Sequence, residues 1–459
     1  MYELQDLGCV VGDSLTLDED ALGKGLLVVE FDWPVGEEKV PLRAIFPDTF
    51  PRNRPLVQLR ADPATFPKRH CNPMDGTLCL LGRDSSQWPN QWTLARLLKE
   101  QLAHALHGTG DEDAQGEPAE YWWNLVGLPD SYCLVDSGWS IGEATSGTLT
   151  LRFAPRHRPG ALAIEALVKS VRDAAGTQVC AWNGATPANL VKASEDATIP
   201  WIYLHETPLP TPEWRRELLT LMGRLPSRPH FTELNSPMRA AQVFAIAYPS
   251  ELEHGKIGLG WLFGLFHGNK KHLRDPNPEH LLSSAAILPT LRAGESDLGA
   301  RVPAVSVLRS KRVAVIGLGA IGAPLALELA RAGCCELHLL DYDIVEPGNS
   351  IRWPLGASAW GIRKAPSVTA MIEKEYPWTH VRAHSHVVGA FGDMPDPLEG
   401  DDAKLKPIIS QVDVVIDASA SNGVLNVLGD YCRELGLPLI AAYASPPVGG
   451  GEVVRFAPA

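Results

Sequence analysis

The chain has 459 residues, 45% of them hydrophobic and 21% charged, with a formal net charge of −13. That length predicts two or three separately cored domains, the composition excludes a disordered chain, and the acid excess disfavours nucleic acid or anionic lipid as a partner. The longest apolar run, Val313 to Leu327, stops at Glu328, short of the roughly 20 residues that cross a bilayer, so no membrane span is expected.

In chain order, the opening Met1-Tyr-Glu-Leu-Gln-Asp carries acids where a secretory leader carries bases, which predicts a cytoplasmic protein. Residues 25 to 60 hold three β-branched or apolar stretches punctuated by Pro and Gly, predicting strands. Thr93 then opens a helix whose apolar positions Leu94, Leu97, Leu98, Leu102, Ala105 and Leu106 recur at helical spacing. Together these predict an α+β domain over residues 1–118, ending in a polar Gly-rich hinge at 108–118.

Residues 119–300 mix strand patterns at Thr148–Ala154, Trp201–Glu206 and Gln242–Pro249 with helical patterns at Ala163–Ala175 and Glu213–Leu225. They predict an α/β linker domain without a chemical motif, in which Phe266–Pro278, with Lys270, Lys271 and Arg274, is a solvated loop. From 301 to 459 strands alternate with helices: a strand, Gly-rich turn and helix from Arg312, a strand from Cys335 ending in acids, and a strand from Val412. This pattern predicts a doubly wound parallel sheet of Rossmann type, so the whole is an α/β multidomain protein.

Gly317-x-Gly319-x-x-Gly322 falls between that predicted strand and helix, where missing side chains admit a phosphate to the helix N-terminus. Asp341 lies 19 residues beyond Gly322, placed to accept from ribose hydroxyls. These four residues suit NAD and ATP alike. Asp343, Asn349, Arg352 and Lys364 follow closely, and the added amide and cations favour ATP, whose triphosphate has more charge to offset than a dinucleotide.

Gly317-Leu-Gly-Ala-Ile-Gly322, Leu339-Leu-Asp-Tyr-Asp-Ile-Val-Glu-Pro-Gly-Asn-Ser-Ile-Arg352 and Gly361-Ile-Arg-Lys-Ala365 resemble the adenylation domain of ubiquitin-activating enzymes and the bacterial ThiF-like sulfur-carrier-activating proteins. The resemblance implies that Asp341 binds ribose and that Asn349, Arg352 and Lys364 contact ATP phosphates. An upstream arginine completes the phosphate site in the family, and Arg301 is the candidate for it. Ala420 stands near the place where the family carries a magnesium-binding aspartate, leaving Asp417 as the candidate ligand for Mg2+. The family's zinc cysteines and acyl-accepting cysteine would follow the strand in Gly451–Ala459, so either the domain is incomplete at its C-terminus, the favoured expectation, or transfer bypasses such a cysteine.

Of the eight cysteines none forms a Cys-x-x-Cys pair, and buried thiols with one or two reactive exceptions are expected. Cys79 is the candidate exception. It closes His70-Cys-Asn72-Pro-Met-Asp-Gly76-Thr-Leu-Cys79, where Asn72 can return across a turn and donate its amide to an oxyanion formed at a thioester. With Trp88, the Thr93 helix and Phe50-Pro51-Arg-Asn-Arg-Pro55, this resembles a ubiquitin-conjugating enzyme over about residues 25–107. Cys71 replaces the family's proline, and the Asn72-to-Cys79 spacing is one residue shorter than usual. An acid beyond the cysteine assists the incoming lysine in that family, and Asp111 sits near the corresponding offset.

The two halves are consecutive steps of one chemistry, an acyl adenylate and then a thioester. Their order is similar to that of bacterial ubiquitin-transferase-like fusions from antiphage (CBASS) operons. The resemblance implies that the activated carboxyl terminus belongs to a cyclic GMP-AMP synthase-like nucleotidyltransferase, that it passes to target lysines, and that the enzyme is a homodimer. A NAD-dependent oxidoreductase and a non-catalytic scaffold with decayed sites are the rival readings.

Overall fold

The computed structural model describes residues 19–67, 69–81, 88–107, 116–158, 161–187, 190, 195–236, 239–253, 255–274, 278–299, 302–389, 400–445 and 450–458. Contacts divide the chain into two bodies, residues 1–182 with 195–293 and residues 183–194 with 294–459.

The first body opens with a short helix α1 (Glu19–Gly23) and an antiparallel meander of β1 (Leu27–Val35), β2 (Glu38–Phe46) and β3 (Leu56–Leu59). Alternation along β1 sends Val29, Phe31 and Trp33 to the core, where helix α2 (Leu94–His107) lays Leu94, Leu97, Leu98 and Leu102 on the sheet. Thr93 Oγ1 accepts from Arg96 N at 3.3 Å, the expected cap at the start of α2.

A ten-stranded sheet follows: β4 (Tyr132–Val135), β5 (Ser146–Arg158), β6 (Ala161–Asp173), β7 (Gln178–Ala181), β8 (Glu195–Tyr203), β9 (Phe231–Ser236), β10 (Arg239–Glu253), β11 (Lys256–Gly268), β12 (Ala285–Leu288) and β13 (Thr290–Arg292). Its path runs β12-β11-β10-β8-β5-β6-β4-β13, with β7 on β6 and β9 on β10. Helices α3 (Ala119–Asn124) and α4 (Trp214–Gly223) join the core on one face. In β10, Ala241, Val243, Ala245 and Ala247 enter one core while Ala240, Phe244, Ile246 and Tyr248 enter the other, so the strand is buried on both faces.

Two expectations for this region are corrected. Ala163–Ala175 is not a helix: Ala161–Asp173 is strand β6, paired with β5 on one side and with β4 and β7 on the other. Nor does Phe266 begin a solvated loop, since it is a fully buried residue of β11, and Leu273 beyond it is buried too. The linker region is therefore dominated by strands rather than by alternating helices and strands.

In the second body β14 (Arg312–Ile316), β15 (Glu336–Leu340), β16 (His380–His384), β17 (Val414–Asp417), β18 (Leu439–Ser445) and β19 (Gly450–Phe456) take the order β16-β15-β14-β17-β18-β19. All neighbours pair in parallel except β18 with β19. Helices α5 (Gly322–Arg331) and α6 (Lys364–Glu375) cover one face over Val313 and Val315, and α7 (Asn422–Leu435) covers the other over Ala314 and Ile316. The order reverses between β14 and β17, so the carboxyl ends of β14, β15 and β17 border the crevice where doubly wound sheets bind ligands. Among the described residues no helix is long and apolar enough to cross a membrane.

Candidate functional site

At the carboxyl end of β14, Gly317 has φ 84°, and a Cβ there would lie 2.7 Å from the Ser419 backbone. A Cβ on Gly322 would meet the Gly317 carbonyl oxygen at 1.8 Å, so the first turn of α5 closes on the strand only with hydrogen at that position. Nothing lies within 4 Å of a Cβ built on Gly319, which leaves the tip of the turn open to an incoming group. No side chain caps α5, whose positive dipole end favours an anion at the turn, although Ala323 N is itself committed to the Gly319 carbonyl at 3.2 Å and Pro324 has no N–H.

The turn is held from both sides. Asp341, at the end of β15, accepts Leu318 N on Oδ2 at 2.7 Å and Asp343 N on Oδ1 at 2.8 Å. Trp353 donates its indole N–H to the Leu318 carbonyl at 2.7 Å. Each Asp341 oxygen keeps a second lone pair for the ribose hydroxyls expected there. Trp353 was not singled out by the sequence because nothing in the crossover between β15 and α6 signals a return to the glycine turn.

Lys364 begins α6, and its ammonium lies 2.5 Å from Asp343 Oδ2 with only 11% of its side chain exposed. The Lys364 hydrogen bond holds the Asp343 carboxyl below the usual carboxylate range. The two predicted residues are thus brought together as an ion pair. Asn349 ends a one-turn helix, Pro347–Asn349, in which its Oδ1 accepts from Glu346 N at 3.1 Å. Arg352 is exposed and its guanidinium has no ion-pair partner among the described residues. Arg363, which the motif contains but no role was given, donates to the Tyr342 carbonyl at 2.6 Å.

Asp417 is 4% exposed at the end of β17, and its Oδ1 accepts from Ser419 N at 2.9 Å. Three residues on, Ala420 has φ 56°, a left-handed conformation that Asp and Asn adopt far more readily. Among the described residues no group of three or more His, Cys, Asp or Glu is arranged to hold a metal. A magnesium ion here would have one protein carboxylate and would take its other oxygens from phosphates and water, a common arrangement for that ion. Arg301 lies outside the described residues.

In the first body, Cys79 is exposed on a hairpin that crosses back over β3. Cys71 opposes Leu78, with Asn72 N donating to Thr77 O at 2.8 Å and Cys79 N to His70 O at 2.7 Å. Cys71 and Leu78 are buried, so by alternation Asn72, Thr77 and Cys79 share the opposite face. Asn72 Oδ1 accepts from Met74 N at 2.9 Å, an Asx turn that commits its oxygen and leaves its NH2 as the donating end. Asp111 and most of the predicted hinge lie outside the described residues.

Residues 297–458 match the model of the ThiF family. Over its whole length the chain is 42% identical to "Uncharacterized protein y4qC" of Sinorhizobium fredii (strain NBRC 101917 / NGR234), of which it covers 78%. "Adenylyltransferase and sulfurtransferase MOCS3" of Drosophila grimshawi is 33% identical over 30% of this chain and 28% of its own. A crystal structure of E. coli tRNA N6-threonylcarbamoyladenosine dehydratase, TcdA, in complex with ATP is 23% identical with TM-score 0.26, over 31% of this chain and 56% of that one. The chain therefore belongs to the family of the Sinorhizobium protein y4qC, and its parallel-sheet body carries a ThiF family domain.

Proposed function

We propose that the chain is an ATP-dependent adenylating enzyme that activates a carboxylate as an acyl adenylate and then carries the acyl group as a thioester on Cys79. The observation that carries the first step is the open glycine turn at Gly317–Gly322, with Asp341 accepting the Leu318 and Asp343 amides and Asp343 ion-paired to Lys364. ATP would lie with its ribose toward Asp341 and its phosphates toward the α5 N-terminus, Arg352 and Lys364. The substrate carboxylate oxygen attacks the α-phosphorus, the bond to the β-phosphate breaks, and pyrophosphate leaves with its negative charge offset by the two cations. Magnesium, held through Asp417 and phosphate oxygens, would add charge neutralisation.

The second step is supported by the exposed Cys79 and by Asn72 on the same face of its hairpin. In this reading residues 1–118, α2 included, form a ubiquitin-conjugating-like domain. The carboxylate is the C-terminus of a partner protein, with a cyclic GMP-AMP synthase-like nucleotidyltransferase in an antiphage system as the first partner to try, and target lysines receive it. The ThiF domain self-associates; Tyr342, Ile351, Trp360 and Ile362, all exposed, with Ile351 91% exposed, support such a surface.

ATP–pyrophosphate exchange in the presence of the partner tests adenylation, and Lys364→Ala is expected to lower it at least a hundredfold. Exchange that is absent, or unchanged in Lys364→Ala, overturns the reading. A thioester adduct on Cys79, lost in Cys79→Ala and removed by thiols, tests the second step. Stabilisation of the protein by NAD but not by ATP in a thermal melt would instead favour the oxidoreductase.

A further inference from the structure

Leu318 sits between two glycines of the turn, and the peptide groups on both sides of it are held by side chains. Gly317 N donates to the Leu340 carbonyl at 2.9 Å, Leu318 N donates to Asp341 Oδ2 at 2.7 Å, and the Leu318 carbonyl accepts the Trp353 indole N–H at 2.7 Å. Leu318 is fully buried and Trp353 is 6% exposed, so the indole bond is sheltered from water, which could not replace a lost partner there.

A trans peptide points its carbonyl and its amide hydrogen in opposite directions. The Leu318 carbonyl and the Gly319 N–H belong to one such unit, so the indole that holds the carbonyl also turns the Gly319 N–H away from itself. That N–H and those of Ala320 and Ile321 have no acceptor among the described residues, whereas Ala323 N, inside the helix, donates to the Gly319 carbonyl. Nothing lies within 4 Å of a Cβ built on Gly319, so an incoming group can reach these hydrogens.

Trp353 comes to the turn from a closed loop. Ile344 and Arg363 form an antiparallel bridge, Val345 N donates to the Ile362 carbonyl at 2.9 Å, and Gly361 N donates to that of Val345 at 2.8 Å. Between these ends Arg352 N donates to the Asn349 carbonyl at 2.9 Å, and Trp360 donates its indole N–H to Ser350 Oγ at 2.8 Å. The loop that carries Asn349 and Arg352 is thus shut at its base, folded on itself at its tip, and latched to the glycine turn by the residue next to Arg352.

We infer that Trp353 is a positioning residue for the nucleotide: its indole N–H fixes the peptide between Leu318 and Gly319 so that the Gly319 N–H faces a phosphate oxygen, and it anchors the backbone from which Arg352 extends. The inference rests on the proposed reading of the turn as an ATP site. Trp353 acts through the peptide it holds and takes no part in bond making. Without the latch this peptide can rotate, and rotation presents the carbonyl oxygen to the phosphate in place of the hydrogen, exchanging an attraction for a repulsion.

Two substitutions separate the latch from packing. Trp353→Phe keeps most of the ring and loses the donor, whereas Trp353→His loses ring area but keeps a ring N–H at a similar reach from Cβ. Isothermal titration calorimetry of the full chain should show ATP bound roughly tenfold more weakly by Trp353→Phe, as for a lost hydrogen bond to a charged group, and at most about threefold more weakly by Trp353→His. Packing alone predicts the reverse order. Hydrogen exchange resolved to single amides should show ATP slowing exchange at Gly319, Ala320 and Ile321 in wild type and less so in Trp353→Phe; if neither variant folds, this wild-type protection decides. A wild type that binds no ATP sinks the adenylation reading together with this inference. A wild type that binds ATP without protecting Gly319 N–H, two variants that bind like wild type, or a Phe variant that binds more tightly than the His variant overturns the role of Trp353 alone.

Discussion

At Ala420 the backbone is left-handed, with φ 56°, a conformation that strains an alanine. Replacing it with glycine removes the left-handed strain, and Ala420→Gly is expected to raise the unfolding free energy by about 0.5–1 kcal/mol in urea titrations. Gly322→Ala is the opposite case. Its Cβ would strike the Gly317 carbonyl, so a loss of about 1–3 kcal/mol and of pyrophosphate exchange is expected. The glycines were legible in the sequence because a tight passage from strand to helix admits no Cβ at Gly317 or Gly322 and so constrains residue type at fixed spacing. Trp353 was not, since its bond to the Leu318 carbonyl spans 35 residues and leaves no local pattern.

Among the elements, β6 shows where periodicity misleads. Ala163, Ile164, Ala166, Leu167, Val168 and Val171 satisfy a helical spacing, yet they are buried because a central strand packs both of its faces. The β-branched Ile164, Val168 and Val171 were the signal for a strand. The strands of the parallel sheet were easier, since each is a short apolar run followed by a turn and a helix. Between β15 and β16, His338 Nδ1 and His384 Nε2 lie 3.2 Å apart with their rings parallel. Burial, then His338 and then Arg382 lower His384 to about 4, and burial likewise lowers His338. A histidine whose folded value lies below its unfolded value contributes its full stability above about pH 6.5, and that contribution falls as pH drops toward 4. Thermal melts of the protein should therefore show the midpoint decreasing over this window, and His384→Gln should flatten the decrease.

On the scale of the molecule, two bodies with separate cores predict two calorimetric transitions rather than one. ATP should raise only the transition of residues 294–459, by about 2.7 kcal/mol at a hundredfold excess over its dissociation constant. Hydrogen exchange can assign the shift to β14, β15 and α5; a shift in both transitions would contradict separate responses. The pairing of Lys364 with Asp343 has a consequence for the resting enzyme. A cell is crowded with ribosomes, inorganic polyphosphate and stray metabolite anions, any of which would lodge against a bare ammonium. On the proposed reading, this internal counter-charge would keep that lysine quiet until a nucleotide arrives that also satisfies the glycine turn, so bystanders would gain little by entering.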